Sequence, residues 1–130
     1  MPATPWKALR EVEPEAEYPV LLTYLPMRRL SRLPGFLGYV RRIQKQLDRT
    51  EGLVGYSLLA RPLRSNYWTL SVWQDEEALR RFVREPPHRN AMQELPRYLS
   101  GFRTTRWTAT GRTLPPTWKD ALARGNDDGG

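Results

Sequence analysis

His88, the one histidine of the chain, is the residue best suited to proton-transfer chemistry. A histidine is the side chain that ordinarily changes charge between about pH 5 and 8. It follows Pro86-Pro87, which ends one helix and can open another. Met92 lies four residues on, with Ala91 and Leu95 on the same helical face. That face predicts an imidazole directed toward the core side, as acid or base. The structural alternative is a capped or partly exposed histidine near a helix start.

Large apolar side chains, most of them aromatic, recur in every predicted strand and in both central helical segments. Together they could line a flat pocket for a polycyclic or otherwise aromatic ligand. Aromatic residues also dominate protein cores and subunit interfaces, so a core and a dimer interface are the alternative. The candidates for the ligand pocket are Tyr24, Tyr56, Trp68, Trp73, Phe82, Met92 and Trp107.

Positive charge is concentrated between residues 28 and 64, where nine Lys or Arg against two acidic residues give a net charge of +7. Such a flank attracts carboxylates, phosphates or nucleic acid. Arginine is suited to carboxylates because its planar guanidinium pairs with both oxygens. The alternative is a solvated helix face and loop. The anion-binding candidates are Arg41, Arg61 and Arg106.

The composition excludes several kinds of site. One histidine and no cysteine leave no HExxH site, zinc finger or iron–sulfur ligand set. The chain has no glycine-rich phosphate loop, no flavin or nicotinamide motif, and no GxSxG nucleophile elbow. No segment approaches the roughly 18 apolar residues of a membrane span. With no cysteine and no signal-like N-terminus, we expect a soluble cytoplasmic protein.

The candidate residues lie on a simple succession of strands and helices. Asp75 is a good N-cap for the second helix, with two glutamates in its first turn. Apolar residues at helical spacing mark the first helix. The predicted strands are Tyr18–Pro26, Leu53–Leu63, Tyr67–Trp73 and Phe102–Thr110. The predicted helices are Leu33–Thr50, one that begins after Asp75 and is stopped by Pro86-Pro87, a short one carrying His88, and a terminal one over Trp118–Arg124.

This order predicts a ferredoxin-like α+β sandwich of the split βαβ (βαββαβ) type. Residues 1–17 form a flexible arm, 18–124 the single domain, and 125–130 a disordered tail. Both helices would lie on one face of the antiparallel sheet and leave the other bare. Because the strands carry apolar residues on both faces, a second copy is the simplest cover. The expected assembly is a homodimer, a dimeric α/β barrel.

The segments WTLSVWQDEEALRRFVREPPHRNAM and RWTATGRTLPPTW resemble an uncharacterised bacterial family near the antibiotic-biosynthesis-monooxygenase-like dimeric α/β barrels. The resemblance covers about Tyr18 to Leu122. Its most specific parts are Ser71-Val72-Trp73, the acids from Asp75 to Glu77, and His88. It implies the fold more firmly than an activity. The superfamily includes cofactor-independent monooxygenases, haem-degrading oxygenases and members without known chemistry.

The residues, the predicted fold and the resemblance leave three functions, in order of preference. The first is a monooxygenase-like oxidoreductase acting on a small aromatic or apolar ligand. His88 would act as acid or base, or as axial ligand if haem binds, since haem-binding relatives place a histidine after the third strand. The second is a non-catalytic dimeric ligand-binding module. The third is RNA binding, which we rank last because the third strand lacks the RNA-recognition-motif pattern.

Overall fold

The structure is a computed structural model, and it describes residues 4–26, 33–61, 66–84 and 103–129. The described strands and helices follow the predicted order, with one short strand added near the N-terminus. The short helix predicted around His88 lies outside the described residues. The elements are β1 (Lys7–Ala8), β2 (Glu17–Pro26), α1 (Leu33–Asp48), β3 (Leu53–Arg61), β4 (Asn66–Trp73), α2 (Glu76–Arg84), β5 (Arg103–Thr110) and α3 (Trp118–Gly129).

All strands belong to one antiparallel sheet with the order β1-β3-β4-β2-β5. The two central strands β4 and β2 are joined in register, with Leu22 opposite Leu70 and, on its other side, Thr105. Without β1, this is the strand order of a split βαβ unit. The predicted ferredoxin-like α+β fold is therefore confirmed.

One face of the sheet, which we call the α1/α2 face, packs against the first two helices. Strand residues point to alternate faces, so Trp73 of β4 and Tyr56 of β3 lie on this side. Leu79 and Phe82 of α2 complete the cluster, and Leu47 adds the end of α1. Burial of these side chains supplies the hydrophobic free energy that holds both helices to the sheet. Val83 of α2, next to Phe82 in the chain, is exposed.

The expectation of a bare second face is wrong for this chain. The other face, which we call the α3 face, is covered by α3 and by residues before β2. Ala121 is completely buried against the strands, and the Trp118 indole donates a hydrogen bond to Ser57 Oγ at 3.1 Å. Trp6 and Val12 pack on the same cluster. Apolar residues on both strand faces are thus explained within one chain, as helix–sheet–helix layers.

Residues 4–10 of the predicted flexible arm lie along the edge of β3, and residues 13–16 contact the turn after β5. The backbone N–H of Thr4 donates to the carbonyl of Leu58 at 2.8 Å, and that of Leu9 to the carbonyl of Val54 at 2.9 Å. Gly55 makes room for the arm, since a Cβ there would be 2.6 Å from the Trp6 ring. The arm therefore caps an otherwise open sheet edge.

The turn at Gly52 and the length of α3 are two further features of the fold. Gly52, between α1 and β3, has a φ of 85°, a conformation that favours glycine. A Cβ at that position would also overlap the Cβ of Ala78 in α2. At the other end, α3 extends to Gly129 and so includes most of the segment predicted to be a disordered tail. Within the described ranges, no helix is long and apolar enough to cross a membrane.

Candidate functional site

An open groove of about 680 Å³ runs between α1 and α2 on the α1/α2 face. We call it the helix groove. Phe82 contributes an aromatic wall, and the rim carries four cationic side chains. Glu51 is the one carboxylate among the described lining residues. The groove therefore presents a basic, partly aromatic surface. Its described lining is Arg42, Lys45, Gln46, Arg49, Thr50, Glu51, Ala78, Arg81 and Phe82.

The local sequence of α2 fixes one wall of this groove. Asp75 Oδ1 accepts a hydrogen bond from the backbone N–H of Ala78 at 2.8 Å, which confirms the predicted N-cap. Glu76 and Glu77 lie in the positive first turn, and Arg81 and Arg84 in the negative last turn. The cap starts the helix at Glu76 and so sets which residues face the sheet. Phe82 is turned inward and Arg81 toward the groove.

Below the groove the aromatic residues form a filled core. Trp73 is 1% exposed, and its ring centroid lies 5.2 Å from that of Phe82 at an angle of 43°. The Trp73 indole N–H donates to Ser71 Oγ at 2.9 Å, so its polar group is satisfied. Leu53 and Leu79, both fully buried, close the space around it. Trp73 therefore supports the groove from below and does not line it.

Tyr56 belongs to a polar contact at the edge of the same core. Its hydroxyl donates to Asp48 Oδ1 at 2.8 Å, and Lys7 Nζ lies 2.7 Å from the same oxygen. Burial, and then the bond to Asp48, raise the pKa of Tyr56. The hydrogen bond from Lys7, followed by that from Tyr56, lowers the pKa of Asp48. Tyr56 thus remains a protonated donor that ties β3 to α1, and Lys7 ties the arm to the same carboxylate.

The α3 face carries a row of four side chains, one from each of the four long strands. The guanidinium carbon of Arg61 lies 5.1 Å from the Trp68 ring centroid. Trp68 stacks on Tyr24 at 5.2 Å and 29°, and Arg103 lies 5.5 Å from the Tyr24 ring. Strand register places them together, because Tyr24 is opposite both Trp68 and Arg103. The Tyr24 hydroxyl donates to Asn66 Oδ1 at 2.8 Å.

A second cavity of about 250 Å³ opens above this row, between the sheet and α3. We call it the α3 cavity. Its lining combines two stacked aromatic rings, two guanidinium groups and aliphatic side chains. The lining residues are Leu22, Tyr24, Arg61, Trp68, Arg103, Thr105, Leu122 and Gly125.

The predicted pocket aromatics do not line a single pocket. Tyr56, Trp73 and Phe82 lie on the α1/α2 face, whereas Tyr24, Trp68 and Trp107 lie on the α3 face. Trp107 stands beside α3, with the guanidinium of Arg124 5.1 Å from its ring. The two remaining site predictions, His88 and Met92, lie outside the described residues.

The three arginines predicted to bind anions are also separated. Arg41 is exposed on α1. Arg106 forms an ion pair with Glu76 at 3.0 Å, on the α1/α2 face. Arg61 alone lines a cavity, the one on the α3 face. Among the described residues, no three histidine, cysteine or acidic side chains are grouped to hold a metal ion.

Sequence reasoning did not find Arg103, Asp48 or Lys7. Arg103 could have been found from strand pairing. It lies at the start of the predicted last strand, and pairing of that strand with β2 places it opposite Tyr24. The contact between Lys7 and Asp48 joins residues 41 positions apart. It depends on the arm binding to β3, for which the polar N-terminal sequence carries no periodic signal.

Comparison with known proteins gives one match to a family model. Residues 36–94 match the sequence model of the family described as antibiotic biosynthesis monooxygenase. This segment includes every described residue that lines the helix groove, from α1, the turn after it and α2. No curated protein matches the chain.

Solved structures share the fold at low identity. Protein SO0527 from Shewanella oneidensis gives a TM-score of 0.64 at 11% identity, over 81% of this chain and 97% of that one. SnoaB, a cofactor-independent oxygenase from Streptomyces nogalater, gives 0.58 at 24% identity, over 77% and 98%. The monooxygenase candidate FN1347 from Fusobacterium nucleatum gives 0.67 at 10% identity over 81% of this chain, which spans 50% of that protein. Residues 36–94 are thus similar to the antibiotic biosynthesis monooxygenase family, and the solved structures share the fold of the chain.

Proposed function

We propose that the protein is a monooxygenase-like oxidoreductase whose small aromatic substrate binds in the helix groove. The observation that carries this proposal is the pairing of the Phe82 wall with four cations in one 680 Å³ groove. A flat substrate with a carboxylate or phenolate group complements such a surface. The groove is built by the segment that matches the monooxygenase family.

The chemistry that fits these residues needs no protein-bound electron carrier. A base removes a proton from an activated CH₂ group of the substrate, and the resulting carbanion transfers electrons to O₂. The overall change is R₂CH₂ + O₂ giving R₂C=O + H₂O, so the substrate supplies all the electrons. Arg42, Lys45 and Arg81 would stabilise the anion that precedes oxidation. The likeness to SnoaB, a cofactor-independent oxygenase, supports this route.

We assign the proton transfer to His88. It is the chain's one histidine, and it follows the last residue of α2, Arg84, by four positions. The described groove lining offers no neutral imidazole of its own. A general base near neutral pH contributes about 10²–10⁴-fold to rate.

Haem is the alternative partner for the same groove. Basic residues such as Arg42 and Arg81 match the two carboxylates of haem, and His88 is the candidate iron ligand. Bound haem would supply the redox chemistry, while these side chains would hold and orient it. A titration with hemin tests this. A sharp Soret band that is unchanged in His88→Ala would exclude His88 as ligand.

A second function is a non-catalytic ligand-binding module of the same fold. The described lining favours it in one respect, because its groups are mostly cationic, amide or hydroxyl groups that bind and orient anions. The homodimer and the cytoplasmic location also stay predictions. A second copy meeting the α3 face would have to displace or exchange α3, since that helix already covers it.

An oxygen-consumption assay distinguishes the oxygenase from the ligand-binding module. The substrate is a hydroxyanthrone, which carries a CH₂ group between two aromatic rings. We expect one O₂ per substrate in wild type and a loss of about 10²-fold in kcat for His88→Gln. Arg81→Gln should mainly raise KM, since it lines the groove, whereas Arg84→Gln, outside the lining, should not. Saturable binding without oxygen uptake would reject the oxygenase and leave the binding module.

A further inference from the structure

We propose that the ligand of the helix groove carries a dianionic group, a phosphate ester, which binds between the end of α1 and α2. This inference rests on the proposed function for the place where the substrate binds, and it adds the chemical class of that substrate. Three cations carry it, which we call the groove cations: Lys45 of α1, Arg49 directly after α1, and Arg81 of α2. All three line the groove and are exposed.

The acidic side chains of the two helices are paired with cations outside the groove. These ion pairs are Lys7 with Asp48 at 2.7 Å, Arg106 with Glu76 at 3.0 Å, and Arg80 and Arg84 with Glu77 at 3.6 Å each. Within the part of the chain that the structure describes, the groove cations take part in no ion pair. Their charge is therefore left for a ligand to neutralise.

The position of Arg81 illustrates this separation of charges. Arg81 follows Glu77 by four residues, a spacing at which opposite charges on a helix ordinarily attract each other. Glu77 pairs with two other arginines instead, and Arg81 lines the groove. On the other wall, Lys45 and Arg49 are also four residues apart, and like charges at this spacing repel. An anion between the walls would reduce that repulsion.

The net charge of these groups matches a dianion. Glu51 is the one carboxylate in the described lining, and against the three groove cations it leaves a net charge of +2. A phosphate ester carries a charge of about −1.5 to −2 near pH 7 and has three strong acceptor oxygens, so it can pair with cations on both walls. Arg42 also lines the groove, but it has another interaction and the count does not include it.

The size of the groove leaves room for a phosphate beside an aromatic ring. Its volume of about 680 Å³ lies within the ~300–1,000 Å³ of pockets for drug-sized ligands and exceeds what a small ring system alone would fill. Phe82 gives the ring an apolar contact, while the groove cations hold the phosphate at the exposed rim. Ring and phosphate would thus be bound by different parts of one site.

The test is calorimetric titration of the full-length protein with 1-naphthyl phosphate at about pH 8, where the phosphate is a dianion. We expect saturable binding at one site. 1-Naphthyl sulfate has the same ring and a tetrahedral group of lower charge, so it should bind at least about fivefold more weakly. 2,3-Naphthalenedicarboxylate should also bind more weakly than the phosphate, since its charge is divided between two planar groups.

Charge-removing variants locate the bound phosphate. Lys45→Gln, Arg49→Gln and Arg81→Gln should each weaken binding of naphthyl phosphate by about twofold to fivefold, and the triple variant should abolish it. Arg41→Gln is the matched control, because it removes the same charge from an exposed position of α1 outside the lining. It should leave the affinity unchanged.

Four results would overturn the proposal: no binding, a sulfate that binds as tightly as the phosphate, a dicarboxylate that does so, or an equal loss in Arg41→Gln. The last would show diffuse attraction to a basic surface, as for a nucleic-acid strand. Binding is measured without turnover, so it decides this inference separately from the oxygenase. Oxidation of hydroxyanthrone without binding of naphthyl phosphate would reject the phosphate class alone. Binding without oxygen uptake would support the phosphate class and reject the oxygenase.

Discussion

The Tyr56 hydroxyl donates a hydrogen bond to Asp48 Oδ1 at 2.8 Å, joining the middle of β3 to the last residue of α1. Lys7 Nζ reaches the same oxygen from the arm. Three segments therefore meet at one carboxylate oxygen, at the end of α1 that also forms the helix groove. The contact makes the position of that helix sensitive to pH at both ends of the scale.

At acid pH, Asp48 is expected to make folding pH-dependent. Its folded-state pKa is lowered below the ordinary 3.8, chiefly by the hydrogen bond from Lys7. Its contribution is therefore present above that value and lost as the pH falls through the folded-state pKa. Asp48→Asn should cost about 0.5–1 kcal/mol at neutral pH, since the side chain is partly exposed, and the difference from wild type should shrink below about pH 4.

Urea unfolding over a range of pH measures this, with Lys7→Met as the companion variant. Lys7→Met removes the main cause of the shift and should reduce the acid sensitivity while leaving the carboxyl group in place. Parallel pH profiles for wild type and Asp48→Asn would contradict the assignment.

At alkaline pH, Tyr56 is expected to act in the opposite direction. Its folded-state pKa is raised above 10.0, first by burial and then by the bond to Asp48. The corresponding stability is complete below pH 10 and declines as the pH rises toward the folded-state pKa. Tyr56→Phe should cost about 0.5–1.5 kcal/mol at neutral pH and flatten the alkaline loss of stability. An unchanged alkaline limb in unfolding experiments would argue against this role.

Phe82 should be the most sensitive position on α2. It is 6% exposed and packs on Trp73, so Phe82→Ala leaves a cavity and should cost about 3–5 kcal/mol. Val83→Ala is the matched control, because Val83 is 39% exposed and its loss should change stability by no more than about 0.5 kcal/mol. Similar costs for both variants would show that α2 is rotated relative to the structure described.

Removal of α3 should make the chain self-associate more tightly than the full-length protein. A chain ending at Pro116 exposes the apolar strand residues that Trp118 and Ala121 cover. Exposed apolar sheet faces are buried by pairing with another copy. Sedimentation equilibrium measures the change, and Ala121→Glu tests the same face in a chain of full length. If neither variant raises the association constant, the α3 face is not a surface for pairing.

The sequence predicted the fold well because periodic signals mark every long element. Strand alternation, the Asp75 cap and the short connection between β3 and β4 lead directly to the observed order and topology. The prediction of a bare sheet face failed for a physical reason. Apolar alternation shows that both faces are covered, but it does not distinguish a second copy from a helix of the same chain.

The site was less predictable than the fold. Aromatic residues could be counted, yet the face on which each lies depends on register, and β3 shifts its register between Leu53 and Gly55. Tyr56 and Tyr24 were assigned to one pocket for this reason and lie on opposite faces. Arg61 was predicted from its charge alone. Arg103 lies at the other end of the same row, and its position there follows only from the pairing of β5 with β2.

The residue at position 52 can change the width of the helix groove without any change in the residues that line it. The absence of a side chain there lets Ala78, a lining residue, approach the turn before β3. A larger residue at position 52, which is itself outside the lining, would push Ala78 and with it α2 outward and so widen the groove. Homologues that differ at this position are therefore expected to differ in the size of molecule they admit, even where every side chain facing that molecule is identical.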